Sequence, residues 1–233
     1  MSRLWALLCL LAAVSFAASP WLAPGFNGYE PTQFPVVLED PPVQPAGYAF
    51  AIWGLIYVWL IVSAGFGLLR RGDDADWQPM RAPLFVSLAV GTIWLPVAQM
   101  SPIAATVLIW IMLASALVAL SRVGDTDRWL QEGPVAVYAG WLTAASCVSL
   151  GVVIGGYGWM PPTPAALLSL ALCLALSVTI QYRLHRAPEY GMTVIWALVA
   201  VVVANWQPFN AAVTLLALVA MIAILGVRAT DTE

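Results

Sequence analysis

The chain has 233 residues, 62% of them hydrophobic and 9% charged, against roughly a quarter charged in an ordinary globular domain. That composition excludes a water-soluble domain and describes an integral membrane protein. Nine arginines, no lysine and twelve acids give a formal net charge of -3, which leaves no basic patch for nucleic acid.

Residues 4–22 follow Arg3 and are apolar throughout, with Pro20 near the far end. Two readings compete for them. A run close to the roughly 20 residues that cross hydrocarbon predicts a first membrane helix. A short basic start, an apolar core and small residues at 15–18 also fit a cleaved secretory signal. Either way the Pro/Gly/aromatic segment 23–46 falls on the outer side. Seven further apolar runs follow, at 47–69, 82–99, 103–121, 134–154, 163–182, 190–206 and 209–227. Backbone polar groups inside a bilayer must be satisfied within each span, and nothing alternates with period two, so these runs predict helices. The fold class is therefore all-α, a polytopic bundle of seven or eight transmembrane helices. The shortest run, 190–206, sits at the low end of spanning length.

Arg3, Arg70, Arg71, Arg81, Arg122, Arg128, Arg183, Arg186 and Arg228 all fall on one side of the membrane under this parse. The positive-inside rule makes that side the cytoplasm and places both termini there if the first helix is retained. A bacterial inner membrane is the expected location. Cys9, Cys147 and Cys173 lie within apolar runs and read as small core hydrophobes.

The most informative stretch is PPVQPAGYAFAIWGLIYVWLIVSA, residues 41–64. A proline-rich loop leads into an apolar run on which Phe50, Trp53, Tyr57 and Ala64 share a helical face. Packing or an interfacial aromatic belt explains such a stripe; so does the wall of a cavity for a flat hydrophobic ligand. Further along, Trp94-Leu95-Pro96 places a proline within the third span. The fifth span carries Tyr138, Trp141, Ala145, Ser146 and Ser149, with Trp141, Ala145 and Ser149 on one face. Gly140/Ala144 and Ala145/Ser149 are also small-residue pairs that let helices approach closely.

These three elements resemble the TspO family, the tryptophan-rich sensory proteins that include the mitochondrial translocator protein. Pro41-Pro42, Tyr48, Phe50, Trp53 and Tyr57 are similar to the family's loop and second helix, Trp94 and Pro96 to its third, and Tyr138, Trp141 and Ala145 to its fifth. Departures are Phe50 three rather than four residues before Trp53, Ile52 in place of a proline, Ser146 for Thr and Ser149 for Asn. The resemblance implies a five-helix core over residues 1–155 with about three additional helices over 156–233. It also implies an intrahelical pocket for a porphyrin or a sterol-like molecule, lined by Tyr48, Phe50, Trp53, Tyr57, Trp94, Tyr138, Trp141, Ala145 and Ser149. A sensory, regulatory or transport role follows, with membrane lipid as surroundings and a homodimer as one assembly it allows.

Residue types narrow the chemistry. No ionisable side chain falls inside a span as parsed, which argues against proton-coupled transport. His185, the single histidine, sits in an Arg-flanked loop without a second ligand for a metal. Gly151 to Gly158 lacks the Lys-Ser/Thr ending of a phosphate loop. Asp73, Asp74, Asp76, Asp125 and Asp127 read as solvated loop charges. No nucleophile-base constellation appears, so the expectation is a binding protein with no catalytic residues, metal or cofactor. The alternatives are a small facilitator for a neutral solute and a structural membrane subunit.

Overall fold

The computed structural model describes residues 2–22 and 28–230, and those residues form eight helices and no strand. They are α1 (Ser2–Leu22), α2 (Ile52–Leu69), α3 (Gln78–Met100), α4 (Pro102–Ser121), α5 (Glu132–Gly156), α6 (Pro162–Leu184), α7 (Pro188–Ala204) and α8 (Ala211–Thr230). Seven of them are long and apolar enough to span a bilayer, α2 being lengthened by a short 3-10 helix, Gly47–Ala51. The eighth, α7, is apolar but only 17 residues long.

The bundle is built around α5, which is buried along nearly its whole length. Lipid solvates apolar side chains as well as protein does, so helices associate in a bilayer through close packing and interhelical hydrogen bonds. Both are present on α5. A methyl group at Gly140 would strike the Tyr190 carbonyl of α7, and one at Gly151 would strike Ser169 of α6; the absence of a side chain is what admits those neighbours. Tyr138 shares a hydrogen bond of 2.9 Å with Ser87 of α3, Thr143 one of 3.0 Å with Tyr190, and Ser146 donates to the Ile109 carbonyl of α4. Around this axis, α2 packs on α1, α1 on α3, α3 on α4, α6 on α8 and α8 on α7.

At the arginine-rich end two expectations are corrected. Helix α3 starts at Gln78, four residues earlier than the apolar run, so Arg81 is inside a helix and 2% exposed. Its guanidinium donates to the carbonyls of Gly67 (3.1 Å), Arg71 (2.7 Å), Gly72 (2.9 Å) and Ser2 (3.3 Å). Helix ends leave carbonyls without intrahelical donors, and a buried cation is tolerated where it satisfies several of them. The acids, in turn, are more than solvated loop charges. Asp127 accepts from Arg71 Nε (2.7 Å) and Trp77 Nε1 (3.1 Å), tying the α2–α3 turn to the α4–α5 turn. Asp76 accepts from the Thr126 amide (3.0 Å) and hydroxyl.

The hydrogen bond from Arg71 holds the Asp127 carboxyl below its ordinary value of 3.8, and the bonds from Thr126 do the same for Asp76. A carboxylate with a depressed folded-state pKa adds stability that is fully present above its unfolded value and is lost as pH falls through the folded one. The melting temperature of the purified protein is therefore expected to be level between pH 5 and 8 and to fall below about pH 4. In Asp127→Asn the acid-side fall should shrink.

At the other end residues 28–46 form a roof. Val36 N–H donates to the Gly156 carbonyl at the end of α5 (3.0 Å), and Gln33 Nε2 donates to the Ala98 carbonyl of α3 (2.9 Å). Phe34, Leu38 and Val43 of the roof are buried.

Candidate ligand cavity

A cavity lies under this roof, in the half of the bundle away from the arginines. Its floor and back are Trp141, Ala144, Ala145, Val148, Ser149 and Val152 of α5. Trp94 of α3 and Ile109 of α4 close one side, and Ala197 of α7 the other. Phe50 and the roof residues Gly28, Tyr29, Gln44 and Pro45 cover it. Measured to the centres of water-sized spheres its volume is about 60 Å³, room for about four waters at the roughly 15 Å³ each requires. Among the described residues no charged side chain borders it.

Five of the expected residues, Phe50, Trp94, Trp141, Ala145 and Ser149, are brought together here. Phe50 and Trp141 meet edge to face with centroids 5.9 Å apart. Trp94 Nε1 donates to the Ala105 carbonyl (2.9 Å), which locks α3 onto α4 at the cavity wall. Gly140 of α5 serves close packing on α7, whereas Ala144, Ala145 and Ser149 border empty space.

The other four lie outside the cavity wall. Tyr48 is 45% exposed and stands edge to face with Trp196 of α7 at 5.5 Å. Trp53 and Tyr57 stack on each other at 5.4 Å and 17°, and Phe16 of α1 meets both rings edge-on. Tyr138 completes this group, 5.9 Å from Phe16. Trp53 still touches Trp141, at 6.0 Å, so the four aromatics form a packed column beneath the cavity. The cavity is consequently blind toward the arginine-rich end.

Polar groups are few and directional. Thr106 donates to the Pro102 carbonyl one turn back (2.8 Å), Ser149 lies 2.6 Å from Thr106, and the Tyr29 hydroxyl 3.0 Å from Ser149. Each hydroxyl has one proton, and Thr106 has spent its own. Ser149 therefore donates to Thr106, and Tyr29 to Ser149. About two turns before Ser149 on the same face of α5, Trp141 is 2% exposed and its Nε1 makes no hydrogen bond. A buried donor left unpaired costs roughly 1–3 kcal/mol, so an acceptor reaching it with a small ring movement would be favoured. Tyr29, Thr106, Gln44 and Ala197 were not foreseen from the sequence. Tyr29 and Gln44 come from a loop without periodicity, and Ala197 from a helix whose facing partner no local pattern reveals.

A model of the family described as TSPO-like protein matches residues 4–229. The chain belongs to the TSPO-like family. The match runs through all eight helices of this TSPO-like protein, and the cavity likewise draws on residues before and after 155. A stretch of 125 residues is also 26% identical to the probable peptidoglycan glycosyltransferase FtsW of Halothiobacillus neapolitanus, covering 50% of this chain and 29% of that protein. The chain thus spans under a third of that relative's length. No solved structure matches.

Proposed function

We propose that this TSPO-like protein is a multi-pass membrane protein that binds one rigid, flat hydrophobic molecule, of porphyrin or sterol type, in the cavity between Phe50, Trp94 and Trp141. The observation that carries it is the unpaired Trp141 Nε1 beside an apolar, aromatic-walled space, with the Tyr29–Ser149 polar pair about two turns further along the same face of α5. Ligand sites have this character, mostly apolar with a few placed polar groups. The ligand-free cavity, at about 60 Å³, is smaller than a tetrapyrrole, so binding includes displacement of the residues that cover it. Its role is sensory or regulatory, exercised by that displacement, and no residue in the wall supplies acid-base or nucleophilic chemistry. The packed column of Phe16, Trp53, Tyr57 and Tyr138 favours binding over facilitated passage, since it stops the cavity from continuing through the bundle. The arginine-rich end is the cytoplasmic end in this proposal, by the positive-inside rule.

Titration of the purified protein with protoporphyrin IX dimethyl ester, an uncharged porphyrin, followed by tryptophan emission, tests the proposal. Saturable quenching at one molecule per chain with a micromolar Kd is expected. Quenching that rises without saturation, as for partition into the surrounding lipid, would refute it.

A further inference from the structure

Two pairs of neighbours around α5 lack close packing on each other, α4 with α6 and α2 with α7. The cavity borders the second, because it includes Ala197 of α7 and Phe50 next to α2 but no residue of α6. That seam is crossed by residues 42–49, which run down α7 in register. Asn205 Nδ2 donates to the Pro42 carbonyl (2.7 Å), Ala46 N–H to the Ala200 carbonyl (3.0 Å), and Trp196 Nε1 to the Ala49 carbonyl (3.1 Å). As the strap advances by four and then three residues, its partner on α7 steps back by five and then four, so the strap follows the helix about one turn at a time. Gln44 and Pro45 of this strap, with Phe50 just after it, cover the cavity.

The strap's two lower ties end on buried carbonyls, those of Ala49 and Ala200, and the rings beside them are exposed. Tyr48 and Trp196 are 45% and 39% exposed, and Leu55 and Val58 of α2 and Val199 and Val203 of α7 flank them with apolar side chains. Lifting 46–49 from α7 would break two hydrogen bonds and one aromatic contact, and would open the cavity sideways into hydrocarbon. The upper tie, Asn205 to Pro42, and the roof contacts at Gln33 and Val36 would stay in place.

We infer that the strap 42–49 is a lateral gate latched by Trp196, through which a neutral, bilayer-dissolved molecule reaches the cavity between α2 and α7. This rests on the ligand-binding reading of the cavity. Neutrality follows from the route and from the wall, since a charged group would cross the seam unpaired and find no counter-charge inside.

The test follows association of protoporphyrin IX dimethyl ester, an uncharged probe, with the full chain in lipid vesicles by stopped-flow tryptophan quenching. In Ala46→Cys/Ala200→Cys, a disulfide formed by mild oxidation clamps the strap. Association is expected to slow by about tenfold or more and to recover on reduction, while oxidant leaves the wild-type rate unchanged. Trp196→Phe, which keeps the ring and removes the latch donor, is expected to speed association and dissociation together by severalfold, with Kd within about threefold of wild type. Equal rates for the clamped and reduced forms would overturn the gate while leaving the cavity standing. Absence of saturable binding in the wild type would overturn both.

Discussion

Ala145→Phe is expected to raise the Kd for protoporphyrin IX dimethyl ester by at least about tenfold, or ~1.4 kcal/mol, while the bundle stays folded. Ala145 is one of the few positions on α5 that are not fully buried, and the space in front of its methyl belongs to the cavity. A benzyl group there occupies ligand volume beside Trp141 and Phe50. Overpacking usually destabilises a close-packed interior, but here the added ring enters space that is empty without ligand. Trp110 of α4 packs against the core and does not border the cavity. Trp110→Phe therefore serves as the control, with binding unchanged. Intact porphyrin binding in Ala145→Phe together with its loss in Trp110→Phe would place the site elsewhere.

Arg81→Met is expected to be the most destabilising single change at the arginine-rich end. It keeps a buried side chain of similar length but removes every donor to the carbonyls of Gly67, Arg71, Gly72 and Ser2. Unpaired buried carbonyls cost roughly 1–3 kcal/mol each, and water can repair some of them near the helix end, so a net loss of about 3 kcal/mol is expected. Thermal melting in detergent reads this directly. Arg81→Lys should recover only part of the loss, because an ammonium cannot fan its donors to four acceptors as a guanidinium does. A melting temperature for Arg81→Met equal to that of the wild type would show that the carbonyls find other partners.

The helical architecture was legible because apolar runs of spanning length leave the backbone no alternative in a bilayer. Helix ends were less so. The run of apolar residues begins at Ala82, yet α3 begins at Gln78, since Arg81 has the carbonyls of α2 to pay its desolvation. The cavity was half legible. Trp141, Ala145 and Ser149 share a face by arithmetic, and that face does border the cavity. Trp53 and Tyr57 share a face by the same arithmetic, but Phe16 of α1 packs on it, and periodicity on α2 cannot say which helix arrives there. Tyr48 entered the expected site through the family resemblance and not through the stripe, and it packs on Trp196 of α7, which no local pattern reveals. Tyr29 and Ala197 join the wall through contacts between segments more than a hundred residues apart, for which a single sequence carries no signal.

Photoaffinity labelling locates the bound molecule most directly. A diazirine-bearing porphyrin ester, irradiated with the full-length protein in lipid vesicles and mapped by peptide mass spectrometry, is predicted to label the segment 141–152 and the strap around Phe50, with labelling suppressed by excess unmodified ester. Label confined to the bilayer-facing sides of α6 and α8, or label that excess ester fails to suppress, would contradict a ligand site between Phe50, Trp94 and Trp141.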